Sequence, residues 1–289
     1  MPNAAEPGAV TWRELLTEAE HLITSLPFET APNEARWLVE QAAGERFDII
    51  AAQPATQRRV AHLDSMLARR ATGEPVQYVI GHWPFRSLDL LVDRRVLIPR
   101  PETEVVAGLA IDEVRHRGTD VRVADLGTGS GAIALSLAAE CTGVEVWATD
   151  RDPAALEVAR ANCSGLGRRA AVVTICAGNW FGALPDELRG RLDVIVSNPP
   201  YVAAMDDLPA AVEEWEPAEA LRAGPDGLDD LREIIGAARE WLLPDGVLVC
   251  EIDPRQASAV AELATIHGFS RTEIAADLAG RERAMVARG

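Results

Sequence analysis

Asn198-Pro199-Pro200-Tyr201 follows directly on the apolar run Leu192-Asp193-Val194-Ile195-Val196-Ser197. Those residue types suit one kind of chemistry, the holding of a planar NH2 group. An amide nitrogen is a poor nucleophile because its lone pair is delocalised into the carbonyl, so a catalyst that alkylates it must orient it. The Asn198 side-chain oxygen can accept one N–H and the Pro199 carbonyl the other. Proline has no N–H and fixes φ, and a residue before proline is confined to extended backbone, so both acceptors are rigid before a substrate arrives. Tyr201 offers a face on which the planar group stacks. Positioning then carries the catalysis, and no general base is needed, since the nitrogen sheds its proton readily once methylated. Alone, the tetrapeptide is equally a turn after a strand, and the neighbouring segments decide between the two.

Upstream, Val121 to Leu126 reads as a strand entering Gly127-Thr128-Gly129-Ser130-Gly131, with Ala132 to Ala138 as the helix that follows. Such glycines let backbone approach a small molecule closely, and a helix N-terminus offers its free N–H groups to an anionic part. Gly127, Gly129 and Ala132 also satisfy the G-x-G-x-x-A pattern, so the loop itself fits a nicotinamide dinucleotide as well as S-adenosylmethionine. A second strand from Val144 ends at Asp150, at the distance from the glycines where a carboxylate accepts both ribose hydroxyls. The competing role is a helix cap, which Asp152-Pro153 fills better and so leaves Asp150 for the ribose. A third strand, Ala171 to Ile175, leads to Asn179-Trp180-Phe181, where an amide beside an indole can flank adenine. Trp180 is equally suited to an apolar interior.

Asp125-Leu126-Gly127-Thr128-Gly129-Ser130-Gly131, Asp150, Asn179-Trp180-Phe181 and Ser197-Asn198-Pro199-Pro200-Tyr201 together resemble the protein-(glutamine-N5) methyltransferases that modify peptide chain release factors. Gly73 to Gly81, Leu97 to Glu104, Glu216-Pro217, Ala220-Leu221 and Gly224 to Leu228 extend the resemblance over residues 11 to 288. It implies S-adenosylmethionine as methyl donor, S-adenosylhomocysteine as product, no metal, and the glutamine of a Gly-Gly-Gln loop as target. Asn198, Pro199 and Tyr201 are then the catalytic residues, and Pro200 joins them in binding substrate. Gly127, Thr128, Gly129, Ser130, Gly131, Asp150, Asn179, Trp180 and Asn198 are the donor contacts. One departure stands at Asn179, where the family usually has aspartate; an asparagine oxygen still accepts from an adenine amino group.

Composition narrows the alternatives. All 28 basic residues are arginine, which excludes a Walker-type phosphate loop and Schiff-base chemistry, both of which need lysine. With 45 acidic residues the net charge is −17, which disfavours a phosphate backbone as partner. Cys141, Cys163, Cys176 and Cys250 never fall as C-x-x-C, and the five histidines share no ligand spacing, so neither a metal nor a redox centre is expected. No apolar run is long enough to span a bilayer, and no basic start precedes an apolar stretch, so a cytoplasmic location is the expectation; a monomer is expected as well.

The chain must position these residues. Thr11-Trp12-Arg13-Glu14 has the form of a capping box opening a helix to about Leu26, and Pro32 to Ala43 and Thr56 to Arg70 read as further helices. They form a small helical domain over residues 1–82, a natural docking surface with Trp12, Trp37, Phe47 and Leu63 in its core. Alternation from Trp83 to Leu97 predicts a β-hairpin linker over 83–98. Residues 99–289 then alternate strands and helices, the order of a seven-stranded Rossmann-like α/β sheet of the class I methyltransferase type. Later elements are a helix Leu228 to Leu242, a strand Val247 to Ile252, a helix Pro254 to Thr265, a strand Phe269 to Ala275, and a last antiparallel strand Arg283 to Arg288.

Three rival functions remain open from sequence. An amino-group methyltransferase of nucleic acid uses a similar turn but needs a basic groove, and a nicotinamide-binding Rossmann module leaves Asn198 to Tyr201 without a role. A glutamine methyltransferase of a ribosomal protein is nearer, and the Arg100 to Glu104 segment favours the release-factor branch by resemblance only.

Overall fold

Thr11 opens the first helix by a reciprocal cap: its backbone N–H donates to the Glu14 carboxylate at 2.8 Å, and Glu14 N–H donates to the Thr11 hydroxyl at 3.4 Å. The computed structural model describes residues 10–289. Residues 1–9, which the sequence assigns to the helical domain and finds free of an export signal, lie outside the described residues. Two compact units part in sequence between Gly81 and His82.

The first unit holds α1 (Trp12–Thr24), α2 (Glu34–Ala43), α3 (Phe47–Ile50), α4 (Gln57–Ala71) and α5 (Val76–Ile80). In α1, Trp12, Leu15, Ala19 and Ile23 recur at helical spacing and are buried, the stripe that packs an amphipathic helix. α2 starts two residues after the predicted Pro32, because residues 31–34 close a turn in which Ala31 N–H donates to the Glu34 carboxylate at 2.8 Å. Trp12 and Leu63 are in the core, whereas Trp37 and Phe47 are only partly buried against it. The Arg70 guanidinium meets the Glu34 carboxylate at 2.7 Å within that interior. Removing either partner strands a buried charge, a loss of about 3–5 kcal/mol.

The second unit begins with a hairpin of β1 (His82–Phe85) and β2 (Leu88–Leu91), shorter than the alternation to Leu97 predicts. Asp93 ends it: its carboxylate accepts from Arg95 N–H, and its carbonyl accepts from Val96 N–H, turning the chain out of the strand. There follow α6 (Pro101–Arg117), β3 (Val121–Leu126), α7 (Ala132–Glu140), β4 (Val144–Asp150), α8 (Pro153–Gly165), β5 (Val173–Ala177) and β6 (Leu192–Ser197). After these come α9 (Ala210–Trp215), α10 (Asp229–Trp241), β7 (Leu242–Glu251), α11 (Ala257–Ile266), β8 (Arg271–Ala276) and β9 (Glu282–Arg288).

Seven strands form one sheet, as the alternation predicts, and they stand in the order β5-β4-β3-β6-β7-β9-β8. β3 to β7 pair in parallel, and β9 inserts antiparallel between β7 and β8. Leu192, Val194, Ile195 and Val196 of central β6 are fully buried, each contributing about 1.5–3 kcal/mol by leaving water. β5 begins two residues later than predicted, because Gly167–Val172 coils into a 3-10 turn first. The predicted Pro254 helix divides into a 3-10 turn, capped by Asp253 with Gln256, and α11.

Candidate active site

β3 lies between β4 and β6, so successive crossovers leave in opposite directions from it and open a crevice at the carboxyl ends of the strands. Register brings the loops to one level there. Leu126 pairs with both Thr149 and Ser197, and Ser197 pairs with Cys250. The next residues, Gly127, Asp150, Asn198 and Glu251, therefore emerge side by side although the sequence spreads them over more than a hundred positions.

A cleft of about 950 Å³, counting its open mouth, occupies this crevice. Gly127, Thr128, Gly129, Ser130, Asp150, Asn179, Trp180, Asn198 and Pro200 line it, with Ala132 and Ile133 of the first turn of α7. Gly131 stands behind as the left-handed cap of that helix, and Pro199 is buried outside the lining. A second cavity opens on the far side of Asn198, lined by Tyr201, Arg100, Val202, Asp206 and Arg283 among others. Leu97, Asn198 and Ala220 are common to both walls.

The glycine loop is held from two sides. Gly127 and Thr128 donate to the Thr149 carbonyl at 2.9 and 2.8 Å, and Gly129 N–H donates to the Asp150 carboxylate at 2.8 Å. Beneath it the buried Asp125 accepts from the Thr128 hydroxyl at 2.6 Å and from Ala134 N–H at 3.1 Å. Burial outweighs these donors and pushes its carboxyl up to about 7. Gly127 has φ +73°, and a Cβ there would stand 2.9 Å from the Trp180 ring. Trp180 thus belongs to the apolar core and also forms one wall of the cleft.

Asp152 is the cap of α8, accepting from Ala154 N–H at 2.8 Å. Asp150 accepts from Asp152 N–H at 2.9 Å with one oxygen and from Gly129 with the other. Each oxygen keeps acceptor capacity toward the cleft. Burial raises the Asp150 carboxyl above its ordinary value. Asn179 donates its NH2 to Glu233 at 3.2 Å, which leaves its oxygen as the acceptor.

Around Asn198 the structure adds residues that sequence reasoning missed. Asn198 Nδ2 donates to Thr103 Oγ1 at 3.0 Å, Thr103 Oγ1 donates to Glu251 Oε2 at 2.6 Å, and the Tyr201 hydroxyl donates to Glu251 Oε1 at 3.3 Å. Burial pushes the Glu251 carboxyl up to about 7 and raises the Tyr201 phenol. Gln256 Nε2 donates to the Tyr201 carbonyl at 3.0 Å, holding the exit of the turn. Buried Glu216 accepts from Ile98 N–H at 3.1 Å and pairs with Arg100, tying the Leu97 wall to the Ala220 wall. Thr103 sits inside the Leu97 to Glu104 segment already singled out, a signal that could have found it. Glu251 and Gln256 carry none.

Among the described residues no helix is long and apolar enough to cross a membrane. No three His, Cys, Asp or Glu side chains among them group to hold a metal.

Residues 14–81 match the family model described as the PrmC N-terminal domain, and residues 107–224 match the methyltransferase small domain. The chain is 46% identical over 223 residues to the release factor glutamine methyltransferase of Moorella thermoacetica, covering 76% of each chain. With that of Geobacter sulfurreducens it shares 36% identity over 96% of each, and with that of Burkholderia pseudomallei 38% over 98% of this chain and 97% of the relative. Among solved structures, a methyltransferase from Pyrococcus furiosus superposes with a TM-score of 0.52 at 19% identity, over 78% of this chain and 98% of that one. The hMettl16 catalytic domain superposes with 0.55 at 15% identity, over 90% and 92%. These two show a common fold.

Proposed function

This chain belongs to the release factor glutamine methyltransferases, and on that premise we propose that its two adjoining cavities are a donor site and a glutamine site. The reaction is transfer of a methyl group to the side-chain nitrogen of the Gly-Gly-Gln glutamine of a peptide chain release factor. The observation that carries the reading is that Asn198 stands in the wall common to both cavities.

S-adenosylmethionine supplies an electrophilic methyl carried on a sulfonium. The donor cavity fits it: the Asp150 carboxylate suits ribose hydroxyls, the Asn179 oxygen an adenine amino group, and the first-turn amides of α7 a carboxylate. Trp180, Ile133 and Ala155 supply apolar wall. On the other side, Asn198 Oδ1 accepts one N–H bond of the glutamine amide and the Tyr201 ring covers its face; the Pro199 carbonyl, outside both linings here, is proposed as the acceptor of the second. Held so, the nitrogen lone pair points through the common wall toward the donor cavity, and orientation replaces base catalysis. Leu97, Pro200 and Ala220 keep water from the gap, which favours a reaction whose positive charge spreads as it leaves sulfur. The proton leaves to solvent after transfer.

The net charge of −17 favours a protein acceptor over nucleic acid. Incubation of the chain with a release factor and isotopically labelled donor, followed by peptide mass spectrometry, should place one labelled methyl on the glutamine of the Gly-Gly-Gln loop. Label only on a ribosomal protein, or on none, would overturn the assignment.

A further inference from the structure

We propose that Thr103 and Glu251 are positioning residues that fix which way round the Asn198 side-chain amide faces, and so make Asn198 an acceptor toward the substrate nitrogen. The inference rests on the reaction proposed above and deepens it.

The two ends of an asparagine amide have nearly the same shape and opposite hydrogen-bonding character. An Asn that presented its NH2 to a glutamine NH2 would oppose donor with donor. Nothing within Asn198-Pro199-Pro200-Tyr201 prevents that. The network behind it does. Glu251 as a carboxylate only accepts, and it takes the protons of both Thr103 and Tyr201, at 2.6 and 3.3 Å. The single Thr103 proton is thereby committed, and its oxygen offers only lone pairs to Asn198. The NH2 end meets it at 3.0 Å, and Oδ1 is left for the common wall of the cavities. Thr103 and Glu251 are 4% and 1% exposed, Thr103 where it lines the donor cleft beside Asn198, and a flipped amide would leave buried groups unmatched.

The polarity of the relay depends on one proton. When Glu251 is protonated, its O–H donates to Thr103, Thr103 turns its own proton to Asn198, and Asn198 must answer with Oδ1, sending NH2 to the substrate. The groups facing Glu251 are Thr103 and Glu102 from α6, Tyr201 from the turn after β6, and Arg283 from β9. Burial and Glu102 oppose the attraction of Arg283 and hold the carboxyl near 7, so the ionised arrangement prevails above that pH.

The test uses the full chain with a release factor and S-adenosylmethionine, and reads kcat, KM, donor affinity by calorimetry and the pH profile. Thr103→Val keeps the shape and removes the relay; kcat should fall by about tenfold to a hundredfold, the equivalent of leaving one buried hydrogen-bonding group unmatched, with donor affinity unchanged. Thr103→Ser restores the hydroxyl and should recover most of the rate. In the wild-type chain kcat should fall as pH drops through about 7, and Glu251→Gln should abolish that acidic limb. If the wild-type chain methylates the factor but T103V matches its kcat, or loses donor affinity instead, the relay is wrong and the function stands. Should T103V not fold, an E251Q variant that keeps both the wild-type kcat and the acidic limb of kcat at saturating donor overturns the relay by itself, because Asp125, also held near 7 but beneath the glycine loop, acts on donor affinity. A wild-type chain that transfers no methyl to any release factor fails the function first.

Discussion

Asn198 touches both cavities, so its two contributions can be separated by what each substitution leaves. Asn198→Ala should lower single-turnover transfer about a hundredfold to a thousandfold, the scale for losing one preorganised hydrogen bond at a reacting centre, while donor affinity barely changes. Asn198→Asp keeps an acceptor oxygen but has no proton for Thr103 Oγ1 and brings a charge beside the sulfonium; it too should bind donor and turn over poorly. Near-normal rates at saturating donor in both would remove Asn198 from the mechanism. Asp150→Ala should instead show in calorimetry, weakening donor binding on the order of 2 to 4 kcal/mol through two lost charge-assisted bonds. The same variant frees Gly129 N–H, which Asp150 holds at 2.8 Å, so it loosens the loop as well. At this scale the sequence is legible where chemistry is contiguous: the glycine loop and the Asn198 turn are single stretches with a mechanical reason for each residue. It is silent where a partner is an ordinary residue far along the chain. Thr103 and Glu251 lie 148 positions apart, and only the pairing of Ser197 with Cys250 puts Glu251 level with Asn198.

Strands were readable from continuous apolar runs, as in β6, because a sheet covered on both faces demands them. Their ends were less so. The hairpin stops at Leu91 and β5 starts at Val173 because a side-chain turn at Asp93 and a 3-10 coil after Gly167 outcompete the ladder. Periodicity does not register such local hydrogen bonding. The junction of β3 with α7 is where backbone and packing requirements coincide. Gly127→Ala meets a left-handed φ of +73° and a Trp180 ring atom at 2.9 Å, whereas Gly190→Ala meets φ +66° and open space. Both should lose about 1–3 kcal/mol for the backbone in denaturant unfolding. Only Gly127→Ala should lose more and also weaken donor binding, since Trp180 must move out of the cleft wall. Equal losses with unchanged donor affinity would reduce Trp180 to core packing.

On the scale of the whole chain, the alternation of strands and helices made the sheet and its crevice predictable, since open α/β sheets bind ligands at the carboxyl ends of their strands. What alternation cannot encode is which part of the chain recognises a protein. Among the described residues, every one lining the two cavities lies after residue 94. The described residues of the helical unit have their own core, built on Trp12, Leu38 and Leu63. A unit so built, in an enzyme whose target is one side chain of a large partner, suits a docking role. Deletion of residues 1–81 should therefore leave S-adenosylmethionine affinity intact, which also reports that the remaining sheet is folded. Methylation of an intact release factor at limiting concentration should fall on the order of tenfold or more, the equivalent of one lost interface anchor, and the loss should appear in KM for the factor. A short Gly-Gly-Gln peptide, too small to reach a docking surface, should be methylated equally by both forms. A truncated chain that binds donor and methylates the intact factor at the full rate would reject the docking role and leave the helices without a part in substrate recognition.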